Sequence, residues 1–161
     1  MGSLDKVAHF VSLNLDRLAR IVLFALLGLV VCNVVMRLFG NPIKGTVEWV
    51  EFMTAVCMGL SLAYCGIQGG HIAVTFIVDR LPSRFRIAFE GAINLFVLFF
   101  LLLVFWRLLI YADRMKQIGQ VSLTTGTPYY PFIIIIAVGI LGYCLVVIAE
   151  IVSALRKLVN K

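Results

Sequence analysis

Charge is what this chain has least of. Only 14% of its 161 residues are charged, while 62% are hydrophobic. A soluble domain is roughly half apolar and a quarter charged. One domain's length of chain could not bury this much apolar surface in water, so lipid is the solvent for much of the protein. The net charge of +6 would suggest nucleic acid in a soluble protein. Here the basic residues flank apolar runs, which points instead to lipid headgroups and topology.

Metal-ligand and redox residues are also sparse. The four cysteines, Cys32, Cys57, Cys65 and Cys144, all lie inside apolar runs, and none forms a CxxC. That argues against a disulfide scaffold, a zinc site and the loop cysteine pair of a quinone-linked thiol oxidase. There they pack as small hydrophobes. The two histidines are His9 and His71. His71 follows Gly69-Gly70 and has no axial partner for haem nearby; it reads as a residue at a helix break or among headgroups. No cofactor or metal is expected.

Mid-membrane charge is missing too. The centres of the apolar runs fall near Gly28, Met58, Phe99 and Gly139, and none has a charge within a turn and a half. Pumps and transporters place ionisable residues there, or interrupt a helix at mid-depth. Neither feature is present, and no half of the chain repeats the other. The chain is not expected to hold its own substrate path.

What is present is four long apolar segments. The expected fold is all-α, a single membrane domain over 1–161, with spans at about 19–39, 47–68, 84–112 and 128–154. The first ends at Gly40 and Asn41-Pro42, a helix-stopping sequence. Thr127 and Pro128 read as the cap and first residue of the fourth. Tyr129 and Tyr130 suit the aromatic belt. Leu4, Val7, Ala8, Val11, Leu15 and Leu18 recur at helical spacing among polar residues. That pattern predicts a separate amphipathic helix over 3–18, lying on the membrane. The stretch 71–81 is expected as a short interfacial segment.

Charge asymmetry predicts the orientation. Nine basic residues lie at the two termini and in the middle loop, against five in the first and third loops. The positive-inside rule then places both termini in the cytoplasm. Arg80, Arg84 and Arg86 in the middle loop are candidates to hold anionic lipid.

Two constellations invite a specific role. In "RLFGNPIKGTVEWVEF" (37–52), Glu48 and Glu51 share one side of the first turn of the second helix. Carboxylates there face the positive end of the helix dipole, and Arg37 is a candidate ion-pair partner for either. The same hairpin could present charge to something outside. Ala55, Gly59 and Ala63 form a small-residue ladder of the kind that lets membrane helices approach closely, within the bundle or against another protein.

The segments "NVVMRLFGNPIKGTVEWVEF", "GGHIAVTFIVDRLP" and "TPYYPF", in this order against four spans, resemble the small membrane subunit of the TRAP (tripartite ATP-independent periplasmic) transporters, over about residues 15–155. Its specific parts are Asn33, Arg37, Glu48, Glu51, His71-Ile72 and Leu81-Pro82. The resemblance implies a non-catalytic subunit in a bacterial inner membrane. It would brace a large membrane subunit that carries the sodium and substrate sites, and help dock a periplasmic protein delivering an organic acid such as a C4-dicarboxylate or sialic acid. Lys44, Glu48, Trp49, Asp113, Arg114 and Lys116 are the docking candidates. The alternatives are a membrane anchor for an electron-transfer enzyme, or a self-standing oligomeric transporter using Asn33, Ser61 and Asn94.

Overall fold

Two glycines end the two longest described helices by the same device. A computed structural model describes residues 3–68 and 83–159, with side chains over 6–68 and 91–153. Within it, α1 runs Ser3–Leu38 and α3 runs Ser83–Ile118. After α1, Asn41 N–H donates to Met36 O and Gly40 N–H to Arg37 O; after α3, Gln120 N–H donates to Met115 O and Gly119 N–H to Lys116 O. These paired bonds make a Schellman cap, which needs a left-handed residue. Gly40 and Gly119 supply it at φ 80° and 64°. The other two helices are α2, Thr46–Ile67, and α4, Tyr130–Val159. Each of the four is long and apolar enough to cross a membrane. Among the described residues the only β pairing is the isolated Val121–Pro128 bridge.

The expected separate amphipathic helix over 3–18 does not stand apart. It is the first half of α1, continuous with the span. No glycine or proline occurs between Leu4 and Leu27 to break it. Tertiary packing also holds it: Ala8, Ser12, Leu15 and Ala19 are buried, at the four-three-four spacing of one helix side. Leu15 and Ala19 pack with Val56, Leu60 and Ala63, while Ala8 packs with Val146 and Ala149. Arg20 pairs with Asp16 one turn before it and lies 6.0 Å from the centre of the Tyr64 ring.

The core is a seam between α2 and α4, with the first half of α1 laid against it. Gly59 packs on Ile136, and an added Cβ there would meet Ile136 Cα at 3.1 Å. At Gly139 an added Cβ would collide with the Gly59 carbonyl, and at Gly66 with the Tyr143 ring. Backbones this close gain dispersion contacts that lipid cannot supply. Of the small-residue ladder, Gly59 and Ala63 lie buried in this seam, while Ala55 is exposed. Among the described residues helix α3 packs against α4 alone, and its apolar side chains, Phe96 and Phe99 among them, are largely exposed.

The expected interfacial segment at 71–81, with His71 and Arg80, lies outside the described residues. Arg84 and Arg86 fall on α3, with side chains outside the described set.

Candidate functional site

The two described connections, α1–α2 and α3–α4, meet at one end of the bundle, and Glu48 joins them. Its local setting begins with the short link at 39–45. Ile43 N–H donates to Asn33 Oδ1 at 3.0 Å, tying the link back to α1. The Thr46 hydroxyl donates to Ile43 O at 2.7 Å. Gly45, at φ 77°, turns the chain into α2. Only glycine takes that conformation at little cost. A Cβ at this position would also collide with the methyl group of Thr125.

Glu48 therefore leaves the first turn of α2 pointing at the other connection. Its carboxylate accepts three hydrogen bonds there. Thr124 N–H donates to Oε1 at 2.8 Å, Thr125 N–H to Oε2 at 3.0 Å, and the Thr125 hydroxyl to Oε2 at 2.9 Å. Both oxygens act as acceptors, as in an ionised carboxylate. Charge-assisted bonds of this kind are stronger than neutral ones. They also satisfy two backbone donors that a turn would otherwise leave to water.

The receiving turn is itself closed. Ser122 N–H donates to Thr127 O at 2.9 Å, and Gly126 N–H to Ser122 O at 3.1 Å. The Thr127 hydroxyl donates to Thr125 Oγ1 at 3.0 Å. Thr127 thus closes the turn instead of capping the fourth helix, which begins at Tyr130 with Pro131 in its first turn. Ser122 is buried, its side chain beside the Glu48 carboxylate.

An aromatic cluster underlies this clasp. Phe52 and Phe132 stack at 4.3 Å with planes 4° apart. Tyr129 meets Phe52 edge-on at 5.1 Å. Trp49 stands edge-on to Phe52 and Phe132 at 6.4 and 6.3 Å. Such pairs add directional stabilisation to the area they bury, and they lock α2 to α4 just below the loops.

The candidate residues divide accordingly. Glu48 and half-buried Trp49 face inward, into the clasp and the cluster. Lys44, Asp113, Arg114 and Lys116 are exposed. Asp113 accepts a hydrogen bond from Gln117 at 2.8 Å. Arg37 and Glu51 are also exposed, and the expected ion pair from Arg37 to Glu48 or Glu51 does not form. Arg20 and Asp16 form an ion pair within α1. The Glu48 oxygens are instead committed to the turn at 124–125. Sequence reasoning missed Asn33 as the anchor of the first link and Thr124 and Thr125 as the partners of Glu48. The Ser, Thr and Gly content of "VSLTTGTP" marks a turn, but nothing local names the acid that grips it.

No group of three metal-ligating side chains occurs among the described residues. What the arrangement can do is hold two connections in fixed relative position and present the charges around them.

The comparisons agree with a membrane transport component. The family model for the DctQ component of tripartite ATP-independent periplasmic transporters matches residues 26–157. No curated protein matches the chain.

Proposed function

Because the chain belongs to the DctQ family, a membrane component of TRAP transporters, we propose that it braces the large membrane subunit of a sodium-coupled organic-acid transporter. Its clasped end helps receive the periplasmic substrate-binding protein. Both termini then lie in the cytoplasm of a bacterial cell, and the clasp faces the periplasm, as the basic-residue asymmetry favours.

The observation that carries the docking role is the Glu48 clasp. A receiving surface works best when it is ordered before the partner arrives. Here two connections are fixed by three bonds to one carboxylate, with an aromatic cluster beneath. Lys44, Asp113 and Lys116 stand exposed at this end. Charges at such a rim mainly set encounter rate and orientation. The reading leaves substrate and sodium to the large subunit, in keeping with the absence of charge near the span centres.

Charge reversal tests it. Lys44→Glu with Lys116→Glu is expected to slow uptake driven by the binding protein, more at low ionic strength than at high. Yield of the membrane complex should not change. Uptake equal to wild type at both salt concentrations would rule out a docking role for this rim.

A further inference from the structure

One side of α3 carries features that neither the clasp nor the bundle uses. Counting by the helical repeat, Phe96, Phe99, Leu103, Arg107, Tyr111 and Arg114 fall on a single side. That side is open. Phe96 is 71% exposed, Phe99 66%, Leu103 46% and Tyr111 49%, and among the described residues neither α1 nor α2 packs against α3. A shallow groove lined by Leu103, Arg107, Tyr111 and Arg114 occupies one stretch of it. A second, almost wholly apolar groove past Phe96 and Phe99 lies farther along the helix, its centre turned roughly 100° round it toward Leu95 and Leu102.

The two guanidinium groups are uncompensated among the described residues, where no carboxylate pairs with either. Asp113, the acid next to Arg114, lies about 100° round the helix, and its carboxylate accepts from Gln117. Arg107 and Arg114 are two turns apart, and Tyr111, one turn from Arg107, lines the same groove. Guanidinium forks match phosphate oxygens, and a phenol adds a donor. From Arg107 to Phe96 the helix rises about 16 Å, an acyl-chain length of apolar surface directly beneath the charges. A soluble anion has no use for that surface. An amphiphile uses both parts.

We propose that Arg107, Tyr111 and Arg114 bind the phosphate of an anionic phospholipid whose acyl chain lies along Leu103, Phe99 and Phe96. Arg107 reaches toward the headgroup level along its own aliphatic stem. Arg114, a docking candidate from sequence alone, is thereby assigned to lipid. This site is separate from the clasp: Lys116, on the rim, lies about 160° round the helix from Arg114.

The test is titration of the full chain, with whatever subunits purify with it in mild detergent, using dioleoyl-phosphatidylglycerol, followed by native mass spectrometry. The double variant R107Q/R114Q is expected to bind the lipid about tenfold or more weakly, from the worth of two basic residues at a membrane surface. R107K/R114K should retain only part of the binding, since lysine keeps the charge without the fork, and K116Q all of it. Circular dichroism monitors helicity; if the double variant loses it, R114Q alone is read. Equal binding by wild type and the glutamine variant would overturn the proposal. Displacement of the lipid by equimolar glycerol phosphate would overturn it too, since that describes a bare anion site. So would phosphatidylglycerol binding that appears only after a co-purified protein is stripped away, which would make this side a protein interface.

Discussion

Replacing Gly139 with alanine adds one methyl group where the backbones of α2 and α4 cross closely. The new Cβ would sit against the carbonyl carbon and oxygen of Gly59 and 3.0 Å from Leu60 N. All three are backbone atoms of α2, so no side chain can swing aside. The two helices must part, and the contacts along Gly59, Ala63 and Gly66 loosen together. Overpacking of this kind costs about 1–3 kcal/mol. Against it stands a gain of about 1 kcal/mol, because alanine favours the helix over glycine. Gly28 provides the control, since nothing lies within 4 Å of a Cβ added there. Gly28→Ala should therefore keep the gain alone, and Gly139→Ala should end less stable than wild type. Thermal unfolding in one detergent, followed by tryptophan fluorescence, reads the difference. Trp49 reports on the α2–α4 junction through its contacts with Phe52 and Phe132, while Trp106 is exposed. Gly139→Ala unfolding at or above the temperature of Gly28→Ala would refute the close crossing.

Other substitutions probe the remaining contacts. Gly45→Ala forces alanine to φ 77° against the Thr125 methyl and should cost about 1–3 kcal/mol, read as a lowered midpoint in the same unfolding assay. Glu48→Gln turns an amide N–H₂ toward one of the donors at Thr124 or Thr125. Hydrogen exchange should then speed up at both amides, with little change in the helices; unaltered exchange would mean the clasp is not formed. Phe52→Ala removes the ring shared by the stack and two edge contacts, for about 3 kcal/mol, and should shift the Trp49 emission. Ser12→Ala is expected to be neutral or slightly stabilising by melting temperature. Its hydroxyl is fully buried without a hydrogen-bond partner among the described residues, so the variant removes an unmet polar group.

Much of this protein follows from sequence by solvation alone. Long uncharged runs must be helices in lipid, because every backbone N–H and C=O there has to be satisfied within its own segment. Four such runs establish an all-helical membrane domain before any contact is known. Gly40 and its following Asn-Pro are equally local, since a left-handed cap depends on one residue's φ.

What the tertiary structure decided are the facts that depend on two distant segments meeting. The helical period over 3–18 suits both a surface helix and the first half of a longer one. Burial of Ala8 against α4 and of Leu15 against α2 selects the second. The ladder at Gly59 and Ala63 announces a close approach without naming its partner, which is the Ile136–Tyr143 side of α4. Glu48 shows the same limit most clearly. Its place in the first turn suits the helix dipole, and Arg37 is the nearest partner in sequence to suggest. Its actual partners are amide and hydroxyl groups 76 and 77 residues away. A backbone N–H belongs to every residue except proline and leaves no mark in the sequence, so only the folded chain shows which carboxylate it serves.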